Sequence, residues 1–283
     1  MTSHNVFETI SSQYFQLTNS EKRVADYILG HRIDVQYMSI SELAEECAVA
    51  DATISRFCRR LGISGYNAFK LELAKASTPP AIPVSVEELD KGGGYAQSCK
   101  RALNESVAAL EQTAHLLDAG QVRRALELME GAPRVVCMGQ GGCMVIAQEA
   151  WSMFSTVSPK FQFVPDSHLQ ISTAALMFPK DVVLYFSYSG STRDLQDLLE
   201  TARARKVKVI LVSRFPKSPG GQLADVVLQC GANEGPLQAG SATARMAMLF
   251  VLEVLFLELC RSNPGPVEKH QEHIAEAVAK KHL

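Results

Sequence analysis

Long apolar runs, paired cysteines, internal repeats and strong net charge are all scarce in this 283-residue chain, and each scarcity removes a class of function. The most apolar segment, Met246 to Cys260, is broken by Glu253 and Glu258 and falls short of the roughly 20 residues a membrane span needs. It is expected to be a buried helix, and no membrane partner is expected. The N-terminal MTSHNVFETI lacks a basic stretch followed by a long apolar one, so no signal peptide is expected either. Seven cysteines (Cys47, Cys58, Cys99, Cys137, Cys143, Cys230 and Cys260) lie singly in the sequence, with no CxxC pair and an odd total. That spacing excludes a disulfide framework or a zinc site and points to reduced thiols in a cytoplasmic protein. Neither a metal nor a cofactor is expected. The net charge of -2 gives no global attraction to nucleic acid, so any such surface must be a local patch.

What remains is an ordinary globular composition, 47% hydrophobic and 20% charged, long enough for two domains. Three prolines in STPPAIPVS (77–85) and the run Gly92-Gly93-Gly94 break the helical pattern between two compositions. We therefore divide the chain into 1–77, a linker at 78–94, and 95–283. Before the linker every periodic stretch is helical: Val24, Tyr27 and Ile28, then Leu43, Ala44 and Cys47, then Ile54, Phe57, Cys58 and Leu61 share i, i+3, i+4 spacing. Helix resumes over 66–76. After the linker, two helices (95–117 and 121–129) precede five short apolar runs at 135–138, 161–164, 182–186, 207–212 and 226–230, which alternate with helical segments. Such alternation predicts a parallel sheet with helices on both faces, a three-layer α-β-α sandwich with a five-stranded parallel sheet. A helix over 242–261 closes the domain, and the polar tail after Pro264 is expected to be weakly attached.

In SISELAEECAVADATISRFCRRLG two short helices flank a tight turn, the arrangement of a helix-turn-helix. Ser41 is a candidate cap for the first helix, and Asp51 or Thr53 for the second. The second helix is expected to expose Thr53, Ser55, Arg56, Arg59 and Arg60. Between Asp51 and Lys75 five basic residues oppose two acidic ones, a local excess suited to the DNA backbone. The alternative is a helical bundle with a solvated arginine face. The segment 1–77, with SEKRVADYIL and the pattern xTxxRFxxxLGxxGYxxFK, resembles the N-terminal helix-turn-helix domain of the RpiR family of bacterial transcriptional regulators. The resemblance implies that Thr53, Ser55, Arg56 and Arg59 lie on a recognition helix facing double-stranded operator DNA.

Parallel sheets bind ligands beyond the carboxyl ends of their strands, where helix N-termini present unpaired amides. Two loops occupy such positions. GQGGC (139–143) follows the first apolar run; it does not meet the GxGxxG dinucleotide pattern. SYSGST (187–192) follows the third and puts four serine and threonine hydroxyls into six residues around Gly190, just ahead of a helix. Uncharged hydroxyls and backbone amides suit a phosphate monoester held reversibly, although serines also cap helices. About residues 120 to 262 resemble the SIS (sugar isomerase) domain. That resemblance implies phosphate contacts from Ser187, Ser189 and Thr192, with Ser191 in the same loop, and a sugar side lined by Gly141 and its neighbours. Cys143 stands where the family usually has serine, and its thiol is a weaker donor than a hydroxyl. Ser241, before the last long helix, is a candidate third wall or simply a helix cap.

Isomerisation needs a base between adjacent carbons, and Asp166, His168 and Glu234 are the candidates. None sits in a recognisable isomerase motif, and a fused DNA-binding module needs differential affinity rather than turnover. A regulator of carbohydrate metabolism that senses a phosphorylated sugar or amino sugar is therefore the expected function, without catalytic residues. A homodimer or homotetramer is expected, reading half-sites about 34 to 36 Å apart. The alternatives are a phosphosugar isomerase and a non-catalytic SIS scaffold for a protein partner.

Overall fold

The computed structural model describes residues 5–32, 34–77, 94–232 and 241–279. The expected linker lies outside the described residues except for Gly94, as does Glu234. The described chain forms two compact units, the first reaching Glu105 and the second beginning at Ser106.

The first unit contains α1 (Val6–Gln13), α2 (Asn19–Gly30), α3 (Ile40–Glu46), α4 (Asp51–Arg60) and α5 (Tyr66–Ser77). The apolar positions at helical spacing meet in one core, in which Ile10, Val24, Ile28, Leu43, Ile54, Phe57 and Phe69 are fully buried. Two capping boxes start its helices: Thr18 with Glu21 on α2, and Ser39 with Glu42 on α3. The cap of α3 is thus Ser39 and not Ser41. The physical reason is reciprocity, because Glu42 lies three residues after Ser39 and its carboxylate accepts from the Ser39 amide, whereas Ala44 holds that place relative to Ser41. Ser41 instead donates to the Asp51 carboxylate at 2.8 Å, tying α3 to the start of α4. Neither Asp51 nor Thr53 caps α4, which begins after Ala50 without a side-chain cap.

Glu21 is buried yet charged, held by the Thr18 amide and hydroxyl and by Arg60 Nε at 3.1 Å. Burial alone pushes its carboxyl upward, but the bonds from Thr18 and the Arg60 guanidinium together outweigh it and leave the pKa below the ordinary value of 4.5. A depressed carboxylate stabilises the fold above its unfolded pKa and loses that contribution as pH falls through the folded value. Acid titration followed by circular dichroism should therefore show the first unit weakening below about pH 4.5, and Glu21→Gln should flatten that part of the curve.

The second unit receives the end of α6 (Gly94–Leu116) and then α7 (Ala119–Gly131), β1 (Val135–Gly139), α8 (Gly142–Ser155), β2 (Phe161–Phe163) and α9 (Ser167–Leu176). It continues through β3 (Val182–Phe186), α10 (Arg193–Ala204), β4 (Lys208–Ser213), α11 (Pro219–Leu223) and β5 (Val226–Gln229). Two helices follow, α12 (Ala242–Ser262) and α13 (Pro264–Ala279). The five strands are parallel, in the order β2-β1-β3-β4-β5. Alternate residues feed two layers. Val135, Cys137, Leu184, Phe186, Ile210 and Val212 pack with α7, α8 and α12, while Val136, Met138, Val183, Tyr185, Val209 and Leu211 pack with α9 and α10. This is the expected three-layer sandwich.

The C-terminal tail differs from expectation. It forms α13, which is anchored at its start: Val267 is buried, and His270 Nδ1 lies 2.7 Å from the Val157 carbonyl. Beyond His270 its side chains are exposed, the part the polar composition foresaw.

Candidate functional site

On α4 the amphipathic spacing turns Ile54, Phe57 and Cys58 into the core and leaves Arg56 and Arg59 exposed, with Ser55 half-buried. Two residues expected on the exposed face are not there in the same sense. Thr53 is only 7% exposed, and its hydroxyl accepts from Arg56 Nη2 at 3.3 Å, so it orients that arginine. Arg60 turns back to Glu21 and to the Gln16 carbonyl at 3.2 Å, a partnership across 39 to 44 residues that no local pattern reveals. Lys70 is also withdrawn: burial pushes its pKa down to about 8, with Glu42 partly offsetting the shift, and its ammonium lies 6.0 Å from the Tyr66 ring. Lys75 is paired with Glu72 at 2.8 Å. The basic excess read from the sequence therefore concentrates, as an exposed pair one turn apart, in Arg56 and Arg59. The turn before α4 holds Ala48 at φ 50, and the Val49 amide closes it onto the Ala44 carbonyl at 2.8 Å.

In the second unit the strand order reverses direction between β1 and β3. From β1 the chain crosses to β2 on one side, and from β3 to β4 on the other, which opens a crevice at their carboxyl ends. GQGGC leaves β1 and SYSGST leaves β3 at that point, with Gly139 paired to Phe186 in register. Gly139 is required there, since a Cβ would lie 2.8 Å from the Cys143 carbonyl oxygen and 3.1 Å from that of Phe186. Gly141, at φ 55, opens α8 without a side-chain cap, and Cys143 is half-buried in the first turn that follows. Gln170, buried in α9, fixes this loop from behind. Its amide donates to the carbonyls of Gly139 (3.0 Å) and Val164 (2.8 Å), and its oxygen accepts from Gln140 at 2.9 Å. The only signal of Gln170 in the sequence is a glutamine between apolar residues at a helix start.

Within SYSGST the hydroxyls divide their work. Ser187 is buried and accepts from the Gly190 amide at 3.2 Å, so it shapes the turn. Ser189 accepts from the Ser191 amide at 3.3 Å, and Ser191 returns a bond to the Ser189 carbonyl at 3.0 Å. Thr192 occupies the N-cap of α10, yet its side chain makes no capping bond. The account of these residues as mere helix caps therefore fails at the position where it should hold. The exposed hydroxyls of Ser191 and Thr192 stand beside the first-turn amides of a twelve-residue helix, a site suited to an anion. Ser213 and Ser218 back the loop from beneath: Ser213 donates to the Tyr188 carbonyl at 3.1 Å, and the Gly220 amide donates to the Gly190 carbonyl at 2.8 Å.

The candidate bases are otherwise placed. Asp166 caps α9, accepting from the Leu169 amide at 2.9 Å, and His168 is exposed on the same helix. Ser241 is half-buried directly ahead of α12 and groups with the first unit. Among the described residues no cluster of three or more metal-ligating side chains occurs, and no helix is long and apolar enough to cross a membrane.

Comparison with known proteins finds two family matches along the chain. Residues 4–80 match the helix-turn-helix domain of the rpiR family, and residues 128–258 match the SIS domain. An HTH-type transcriptional regulator of Haemophilus influenzae is 31% identical over 257 residues, covering 90% of this chain and 89% of its own. Another, from Caldanaerobacter subterraneus, is 27% identical over 280 residues and 97% of both chains. The structure of the Vibrio vulnificus NanR protein complexed with ManNAc-6P superposes with a TM-score of 0.86 at 26% identity, over 99% of this chain and 100% of that one. An exposed arginine pair on a helix-turn-helix, a two-loop crevice on an SIS sandwich and relatives alike over nearly their whole length agree: the chain belongs to the RpiR family of helix-turn-helix transcriptional regulators.

Proposed function

We propose that this regulator senses a phosphorylated sugar or amino sugar at the crevice between GQGGC and SYSGST, and that occupancy changes its affinity for operator DNA. The observation that carries the reading is Thr192, an N-cap whose hydroxyl leaves the helix uncapped beside exposed serine hydroxyls at the switch point of the sheet. A phosphate monoester placed there meets hydroxyl donors and a positive helix end. The NanR structure, obtained with ManNAc-6P, supports the chemical class. In this reading Ser189, Ser191 and Thr192 contact the phosphate, Ser187 holds their geometry, and Gly141 and Cys143 belong to the sugar side. Double-stranded DNA is bound by Ser55, Arg56 and Arg59, in a cytoplasmic homodimer or homotetramer.

No turnover is proposed. Asp166 is engaged as a helix cap and His168 is exposed, which supports binding over proton transfer at carbon. The test is a thermal-shift screen of hexose 6-phosphates and N-acylated amino sugar 6-phosphates against their unphosphorylated counterparts. A ligand at a hundred times its Kd should stabilise the protein by about 2.7 kcal/mol, a rise of several degrees. Equal shifts from phosphorylated and unphosphorylated sugars would refute the phosphate site.

A further inference from the structure

Tyr185 is the penultimate residue of β3, 1% exposed, and its hydroxyl is the buried side-chain polar atom without a hydrogen-bond partner among the described residues. A core position against Met138 and Leu195 needs only an aromatic ring, and phenylalanine would fill it without an orphaned hydroxyl. The hydroxyl lies where the two loops converge. Its electrostatic neighbours are Asp194 in the first turn of α10, Cys143 at the start of α8 and Gln140 in the first loop. Burial holds the phenol well above its ordinary pKa, and Asp194 and Cys143 act in the same direction, so it remains a neutral donor. Gln140 is close enough to offset this in part but does not complete a hydrogen bond; its amide is engaged with Gln170.

We propose that Tyr185 is a specificity-determining residue of the crevice, its hydroxyl reserved for a hydrogen bond to a hydroxyl or carbonyl oxygen on the sugar portion of the ligand. This deepens the phosphate-site reading and rests on it. The sugar and not the phosphate is assigned to Tyr185 because the exposed hydroxyls of Ser191 and Thr192 and the first-turn amides of α10 already suit the anion, whereas Tyr185 is buried in β3 ahead of that loop. For a ligand oxygen to reach the hydroxyl, the half-exposed Gln140 side chain must turn away from Gln170. Ligand binding then satisfies a polar group that the ligand-free protein leaves unpaired, and a sugar lacking the matching oxygen leaves it so.

The experiment compares the full-length protein with Tyr185→Phe by calorimetric titration of inorganic phosphate, glucose 6-phosphate and N-acetylmannosamine 6-phosphate. For whichever sugar phosphate wild type binds more tightly, the variant should bind about tenfold more weakly, the scale of one hydrogen bond. Inorganic phosphate should bind both proteins equally, and the ligand-free melting temperature should hold or rise. Sugar-phosphate affinity within twofold of wild type would overturn the role of Tyr185 while leaving the phosphate site standing. Equal weakening toward inorganic phosphate and sugar phosphate would make the hydroxyl a support of the loops and also overturn it. Wild type that binds none of the three would overturn the phosphate reading and this inference together.

Discussion

Arg56→Ala and Arg59→Ala should each weaken binding to a duplex from the regulator's own upstream region by about 1–3 kcal/mol, roughly 5- to 150-fold. Each should also reduce the slope of log affinity against log salt by about one, because each arginine removed leaves one fewer phosphate counterion to release. Arg60→Ala should behave differently. Its guanidinium faces Glu21 and the Gln16 carbonyl, so the salt slope should stay near wild type while the first unit loses stability. Glu21 has only 6% of its side chain exposed, and removing its cation strands a buried carboxylate; with Arg60 itself 44% exposed, the loss is about 1–3 kcal/mol. Glu21→Gln in the Arg60→Ala background should restore much of that loss, since glutamine still completes the capping box without a charge. Fluorescence anisotropy across a salt series, with thermal melts of the same variants, separates the two behaviours. An Arg60→Ala slope reduced as much as that of Arg59→Ala would show that Arg60 leaves Glu21 to meet DNA.

Arg60 also marks where sequence reading stops. Its helical spacing gives a residue on the polar side of α4, but the carboxylate that captures it lies 39 residues earlier, a pairing set by how α2 packs on α4. Thr53 is misplaced for a related reason: at the helix start a short side chain folds onto its own neighbours, and Arg56 takes its hydroxyl. The strands were legible because their burial is written twice, in apolar runs and in the helical segments between them. Val182–Phe186 has the bounds its run predicts, β1, β2 and β5 differ from theirs by a residue at one end, and β4 is shifted by a residue at both ends. The cap of α3 was legible in principle, as Ser39-x-x-Glu42, but a serine nearer the apolar run drew the assignment. For the crevice, sequence located both loops but not what each residue does there. That Ser187 shapes the turn, that Gln170 braces GQGGC and that Tyr185 lacks a partner all depend on side chains meeting across strands.

Gly190→Ala should be the most damaging single-methyl change in SYSGST. The residue sits at φ 60, where an L side chain costs about 1–2 kcal/mol. A Cβ there would run into the Ser218 hydroxyl and come within 2.9 Å of the Ser218 Cβ and 3.2 Å of the Ser213 hydroxyl. Ser218 cannot retreat freely, because it is fully buried and caps α11 through the Gly221 amide at 3.1 Å. Overpacking of this kind adds about 1–3 kcal/mol, so the total is about 2–5 kcal/mol. The same displacement pulls the Gly190 amide from Ser187 and its carbonyl from Gly220, so the loop should lose phosphosugar binding even where the protein stays folded. Ser218→Gly separates the two contributions. Glycine at an N-cap costs only a few tenths of a kcal/mol and removes both colliding atoms. In the double variant the overpacking share of the stability should return while the strain at φ 60 persists, a coupling that thermal melts of the four proteins measure directly. Additive losses in the double variant would mean that the loop and α11 are not in the contact that shapes this site.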